Sequence, residues 1–288
     1  MTVTFGAHIS ISKGLDKAVD QADKLKCGIM QIFSQSPQSF RGVSQKNIDL
    51  IDKAKEKLKK NNIKIVSHSP YLINLAKDPI KEKYIADALK NDLEFINKLN
   101  GIGSVVHMGK KIKLSTDTAL NNMENNIKNI LRQYKGKSKL ILETSCGQGS
   151  ELLFKIEDLG NFYNRFSPSE KKRMGFCIDT CHVFVAGYDM RCPKKVDDFF
   201  GLFDKCIGLD NVVLIHFNDS DKKFGSHVDR HENIGEGFIG KKEGGNIDGL
   251  KRVFEIAAKR SIPMTLETHN IEKDLKKVQN WPEYKALS

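Results

Sequence analysis

KLILETSC, residues 139–146, opens on a lysine and three aliphatic residues and then meets a carboxylate, Glu143. The same grammar recurs on both sides of it. Upstream, IKIVSH ends on His68 and GSVVH on His107; downstream, GFCID ends on Asp179, VVLIH on His216 and PMTLE on Glu267. Two earlier apolar runs, Val3 to Ile9 and Gly28 to Phe33, bring the number to eight. Short, unalternating aliphatic runs suit strands covered on both faces. Amphipathic stretches lie between them. From Ser44, an expected N-cap, Ile48, Ile51, Ala54 and Leu58 step by three and four, with Lys53, Lys57 and Lys60 facing away. Asp78-Pro79 predicts a capped helix start, continued by Ile85, Leu89, Leu93, Ile96 and Leu99. Leu250, Val253, Phe254 and Ala257 repeat the stripe after Asn246. Eight strand–helix units in 288 residues predict an α/β fold, a (β/α)8 TIM barrel forming a single domain. An open doubly wound sheet would set a Gly-rich phosphate loop after its first strand, and HISISKG, residues 8–14, is not one.

Composition narrows the function classes. Hydrophobic residues at 39% and charged residues at 29% fit a folded globular chain. No apolar run approaches the roughly 18 residues of a membrane span. The start, MTVTFGAHIS, lacks the basic stretch and apolar core of a secretory signal, so an intracellular protein with reduced cysteines is expected. Cys177 and Cys181 have no matching second pair for a zinc site built on cysteines and are read as packing residues. The net charge of +11 suits a polyanionic partner, although the helix lysines sit opposite apolar stripes and read as solvated faces. The tail from about residue 271, including Trp281, carries no interpretable motif.

The chemistry lies in the strand ends. In a barrel of parallel strands all of them finish at one mouth, where active sites form. His68, His107, Glu143, Asp179, His216 and Glu267 end six successive strands, so six metal-competent side chains reach one rim. Any one of them could be a polar residue finishing a strand. Six converging without a cation would leave like charges and unpaired groups together, at a cost of several kcal/mol. Mixed imidazole and carboxylate donors favour Zn²⁺, ahead of Mn²⁺ or Fe²⁺. His182, three residues after Asp179, and the pair Asp229 and His231 extend the set to nine, which suits two or three ions. His8 either supports a ligand or packs at the mouth; His227 and His269 fall in loops and are not expected to bind metal.

These residues lie in longer motifs: HSPYLINLA (68–76), GFCIDTCH (175–182) and HFNDSDKKFGSHVDRH (216–231), the last followed by IGEGFIG (234–240). GAHIS near the start, ETSCGQGSEL around Glu143 and VFVAGYDM after His182 add to them. Across almost its whole length the sequence resembles the endonuclease IV family of apurinic/apyrimidinic (AP) endonucleases, AP endonuclease family 2.

The resemblance implies a hydrolase of DNA base excision repair that carries three zinc ions per chain. His68, His107 and Glu143 would hold the first, Glu143, Asp179, His216 and Glu267 the second, and His182, Asp229 and His231 the third. Glu143 and Glu267 would act in catalysis through a metal-bridged hydroxide nucleophile. The implied reaction hydrolyses the phosphodiester 5′ to an abasic site in double-stranded DNA, leaving a 3′-hydroxyl, with trimming of blocked 3′ ends besides. Tyr71 and Leu72 match the family's wedge residues and Asn74 a backbone or loop-shaping contact.

Two positions depart from the family. The arginine that enters the duplex from the loop after the second strand is matched here by Gln38 in SQSPQSF, with Arg41 three residues on. The lysine usual after Asp219-Ser220 is replaced by Asp221, followed at once by Lys222 and Lys223. A metal-dependent sugar isomerase or epimerase on the same barrel is the competing expectation, and a catalytically dead DNA-binding barrel a third. No membrane partner is expected, and a monomer is the default for a self-contained barrel.

Overall fold

Aliphatic strands with no polar face must be covered on both sides, and closing the sheet on itself achieves this. The computed structural model, which describes residues 3–287, shows that closure. Eight parallel strands, β1 (Phe5–His8), β2 (Ile29–Phe33), β3 (Lys64–His68), β4 (Gly103–His107), β5 (Lys139–Glu143), β6 (Met174–Asp179), β7 (Val212–His216) and β10 (Met264–Leu266), form a barrel. Their order is β1-β10-β7-β6-β5-β4-β3-β2. The remaining strands, β8 (Asp219–Ser220) and β9 (His231–Glu232), pair antiparallel in a short ribbon beyond β7. Gly6 permits the β1–β2 approach, since a Cβ there would lie 1.7 Å from the Ile29 carbonyl oxygen.

Strand parity then places the site. Ile29, Val66, Val105, Ile141, Cys177 and Leu214 form one buried cluster inside the barrel. Side chains two positions on point to the same face, and those are Gln31, His68, His107, Glu143, Asp179 and His216. Register keeps the upper layer together: His107 lies opposite Glu143, and Asp179 opposite His216. Helices cover the outside in the larger hydrophobic cluster. Among the described residues no helix is long and apolar enough to cross a membrane.

One helix expectation needs correction, and two gain detail. The stretch after Asp78 is a run of turns, and the helix begins at Tyr84 with Lys83 as its N-cap. The Asp78 carboxylate accepts hydrogen bonds from the backbone N–H of Ile80 and Lys81, an Asx-type turn that competes with helix initiation. Ser44 does stand at an N-cap, but its side chain makes no cap hydrogen bond, and the helix it opens is divided at Leu50. Lys53 and Lys57 are more than solvated charges, because they pair with Asp16 at 2.7 Å and Asp20 at 2.6 Å on the neighbouring helix.

The uninterpreted tail forms two helices, Ile271–Gln279 and Pro282–Leu287. Buried Trp281 packs edge-on against Phe217 and Phe254, so this segment completes the core. All six cysteines are free; Cys177 and Cys181 are buried, and each also lies within reach of a ligand-capable set, Cys177 beside Glu143 and His216 and Cys181 beside Asp179 and His231.

Candidate metal centre at the barrel mouth

Glu143, almost wholly buried at the end of β5, stands at the centre of the mouth. Its Oε2 lies 3.0 Å from His107 Nε2 and 3.3 Å from His68 Nε2. Its Oε1 lies 2.7 Å from His216 Nδ1 and 3.5 Å from His182 Nδ1. Of five ligand-capable groups at this mouth, three consist of imidazoles and carboxylates alone: His68–His107–Glu143, Glu143–Asp179–His216–Glu267, and His182–Asp229–His231. In each, one donor atom per residue lies within 4.8 Å of all the others. All nine sequence-predicted side chains are thus brought together. His227 instead engages the Cys146 carbonyl at 2.9 Å, and His269 is exposed.

Local backbone structure aims the rings. Asp179 caps the short helix Thr180–Val185 through the His182 N–H at 2.8 Å, which turns His182 back over the mouth. The β8–β9 ribbon pairs Ser220 with His231 and carries that imidazole to the same place. The ribbon is itself held by Asp219, whose buried carboxylate accepts from the backbone N–H groups of Ser220, Gly235, Gly237, Ile239 and Gly240 at 2.7–3.3 Å. Burial nevertheless leaves the Asp219 pKa raised. Asp219→Ala would strand several buried donors, and a loss of about 3 kcal/mol is expected in urea unfolding. Wild-type stability would show that the loop stands without it.

The ring nitrogens show whether the residues fit a metal. His68 Nδ1 donates to the Ser69 carbonyl at 2.7 Å, leaving Nε2 toward Glu143. His182 Nδ1 donates to the Thr144 carbonyl at 2.9 Å, leaving Nε2 free. A ring held this way by a fixed acceptor is the usual arrangement for metal-ligating histidine. The Nε2 atoms of His182 and His231 are buried without a hydrogen-bond partner, although Asp229 oxygens lie 3.2 and 3.4 Å away. Buried, orphaned imidazole nitrogens facing carboxylates fit divalent cations well.

Electrostatics agree. Burial would raise the Glu143 pKa, yet the imidazoles of His216 and His107 hold it well below the carboxylate range. Glu267 is likewise brought down to about 2, against its burial, by His216, His231 and His68. Conversely, burial would lower His182 and His216, but both are raised well above 6.5: His182 chiefly by Asp179 and Asp229, His216 by Cys177, Glu267 and Glu143. Without metal the carboxylates and imidazoles thus hold one another charged; a cation would take over the compensation of the carboxylates and displace the imidazole protons.

Two buried amides escaped the sequence reading. Asn218 Nδ2 donates to Asp179 at 2.8 Å and to Glu267 at 3.3 Å, and its Oδ1 accepts from the Glu267 N–H at 2.9 Å. Gln31 bridges His216 and Glu267. Neither is charged; Asn218 lies inside the motif 216–231 without standing out there, and Gln31 is marked only by sharing the ligands' strand parity.

On the rim, Tyr71 is 59% and Leu72 48% exposed. Phe33, His68 and His107 back the Tyr71 ring, with centroids 5.2–5.9 Å away. Asn74 shapes a loop: its Oδ1 accepts from Lys110 N and Ala76 N, and its Nδ2 donates to the Lys110 carbonyl. Gly109, at φ 132°, gives it room, since a Cβ would meet that Oδ1 at 2.4 Å. Gln38 and Arg41 are exposed on the loop after β2. Asp221 pairs with Lys222 and Lys242, and Lys223 with Glu243. Beside Glu143, Tyr71, His107, His182, Asp229 and Arg230 help to line a cavity of about 270 Å³.

Residues 19–281 match the xylose isomerase-like TIM barrel family. A relative carrying the endonuclease 4 name, from Acanthamoeba polyphaga mimivirus, is 37% identical over 276 residues, covering 93% of this chain and 86% of its own. The crystal structure of endonuclease IV from Thermus thermophilus superposes with a TM-score of 0.75 at 25% identity, over 99% of this chain and 98% of that one. A D-tagatose 3-epimerase-like protein shares the fold alone, with a TM-score of 0.72 at 18% identity over 99% of this chain and 97% of that one.

Proposed function

The chain belongs to the endonuclease IV family of xylose isomerase-like TIM barrels, and from that premise we propose that it is a zinc-dependent AP endonuclease of DNA base excision repair. It would hydrolyse the phosphodiester 5′ to an abasic site, leave a 3′-hydroxyl, and trim blocked 3′ ends with the same apparatus. The observation that carries the proposal is the gathering of three imidazole–carboxylate groups at one mouth, two of them sharing Glu143. The epimerase alternative is not favoured, because likeness at 18% identity extends only to the fold.

His68, His107 and Glu143 would hold one zinc ion, Glu143, Asp179, His216 and Glu267 a second, and His182, Asp229 and His231 a third. When bound, zinc supplies acidified water near neutral pH and positive charge for phosphate oxygens. The protein supplies the rest. Glu143 places one carboxylate against four imidazoles and so fixes the spacing of the three groups. Asn218 holds Asp179 and Glu267 at a common level. Tyr71 and Leu72 stand where a duplex would press on the mouth, and a missing base removes most of the stacking that opposes extrusion.

The test is a duplex with one abasic analogue, incubated with the protein before and after chelation. Cleavage 5′ to the lesion, abolished by chelator and restored by zinc, is expected. No cleavage, or cleavage indifferent to chelator, would refute the proposal. Tyr71→Ala should weaken abasic-duplex binding by about 1–2 kcal/mol, roughly 5- to 30-fold in Kd, because stacking on an aromatic ring is lost. Its metal content should not change. Unaltered affinity in a filter-binding assay would remove Tyr71 from the wedge role.

A further inference from the structure

Gln31 sits in the same inward-facing layer as the ligands, two residues above Ile29 in the barrel floor, and its side chain is fully buried. Its amide spans three strands. Nε2 lies 2.6 Å from Glu267 Oε1 and 3.2 Å from His8 Nδ1, and Oε1 lies 2.8 Å from His216 Nε2.

Donor and acceptor identities fix every hydrogen in this chain. An ionised carboxylate only accepts, so the Gln31 atom facing Glu267 must be the NH₂ group. The atom facing His216 is therefore the carbonyl oxygen, which also only accepts. His216 must then carry hydrogen on Nε2, and its Nδ1 is the nitrogen presented to Glu143 at 2.7 Å and Glu267 at 3.2 Å. The second amide hydrogen meets His8 Nδ1, which assigns His8 its Nε2–H form. Backbone carbonyls do this service for His68 and His182. At His216, deepest in the mouth, the Gln31 side chain replaces them.

We propose that Gln31 is a positioning residue for the metal group Glu143–Asp179–His216–Glu267, locking His216 with Nδ1 as its donor and holding Glu267 to the same amide. This rests on the metal site proposed above. The experiment contains no DNA, so a chain that binds zinc yet cuts nothing would sink the nuclease proposal and leave this one standing.

Gln31→Met fills similar volume and removes all three hydrogen bonds; Gln31→Glu keeps an acceptor for His216 but sets a like charge against Glu267. Each zinc-loaded protein is dialysed against graded chelator and its zinc measured. Long-range ¹H–¹⁵N spectra of histidine-labelled protein report which His216 nitrogen carries hydrogen. In Gln31→Met one class of zinc should leave about 10- to 100-fold more readily, as when such supporting partners are lost, and His216 should lose its single Nε2–H signature. Gln31→Glu should regain the signature but not the affinity. Wild-type zinc affinity or an unchanged His216 spectrum in Gln31→Met overturns the assignment. Should Gln31→Met fail to fold, Gln31→Glu decides: weakened zinc with the signature kept supports it, and wild-type affinity overturns it.

Discussion

Glutamine in place of Glu143 is expected to abolish cleavage, with a loss of about 10³-fold or more, because the change strikes the side chain shared by two of the three groups proposed to hold zinc. The substitution keeps shape and removes charge. His68 and His107 would lose their nearest carboxylate, at 3.3 and 3.0 Å, and His216 its closest, at 2.7 Å. Zinc content should fall in both groups that use Glu143, while His182, Asp229 and His231 keep their own. Glu267→Gln should also abolish cleavage but release metal from one group only. Abasic-duplex binding should survive in both variants, because Tyr71 and Leu72 lie on the exposed rim and the substitutions leave them in place. Metal analysis and gel-shift assays separate these effects. Near wild-type cutting by either variant would break the ligand assignment.

That ligand layer was legible because parallel barrel strands are buried on both faces and therefore read as unbroken apolar runs. A His, Asp or Glu at the end of such a run stands out. What pins the layer in place did not stand out. Gln31 is uncharged and belongs to no motif, and only parity with Ile29 points inward. Asp92, on the helix Tyr84–Lys98, is buried among the hydroxyls of Ser34, Ser67 and Ser104 and so ties that helix to β3, β4 and the residue that follows β2. In the sequence it is one acidic residue on a helix of many. The turn after Asp78 misled for a related reason: a short carboxylate caps helices and closes turns with the same hydrogen bonds, and tertiary context decides between them. Trp281 and Tyr284 stack around Phe254 without any periodic signal. Residue type thus disclosed the groups that would touch metal, whereas those that orient them are recognised only by partners distant in sequence.

The apparent affinity for metal at the groups holding His182 and His216 should climb with pH, by about tenfold per unit for each near neutrality. In the metal-free protein His182 and His216 are raised well above 6.5, because burial is outweighed by Asp179 and Asp229 at His182, and by Cys177, Glu267 and Glu143 at His216. Both therefore hold a proton where a ligand needs a lone pair. Each proton displaced on binding adds about tenfold per pH unit. At His216 the hydrogen facing Gln31 stays, so the one that leaves is on Nδ1. Stability of the metal-free form should move the other way. Histidines with raised folded pKa values contribute fully below 6.5, and that contribution fades as pH rises through the folded values. Glu143 and Glu267, lowered from 4.5, contribute above 4.5 and lose it as pH falls through their folded values, about 2 for Glu267. The metal-free protein should accordingly be most stable between about pH 4.5 and 6.5, and urea melts at pH 5.5 and 8 should show it weakening on the alkaline side. With zinc present the order should reverse, since raising the pH strips protons from the same nitrogens the metal then occupies. Zinc affinity that is flat from pH 6 to 8, or a metal-free protein stabilised by alkali, would mean that these imidazoles are not the groups exchanging protons for metal.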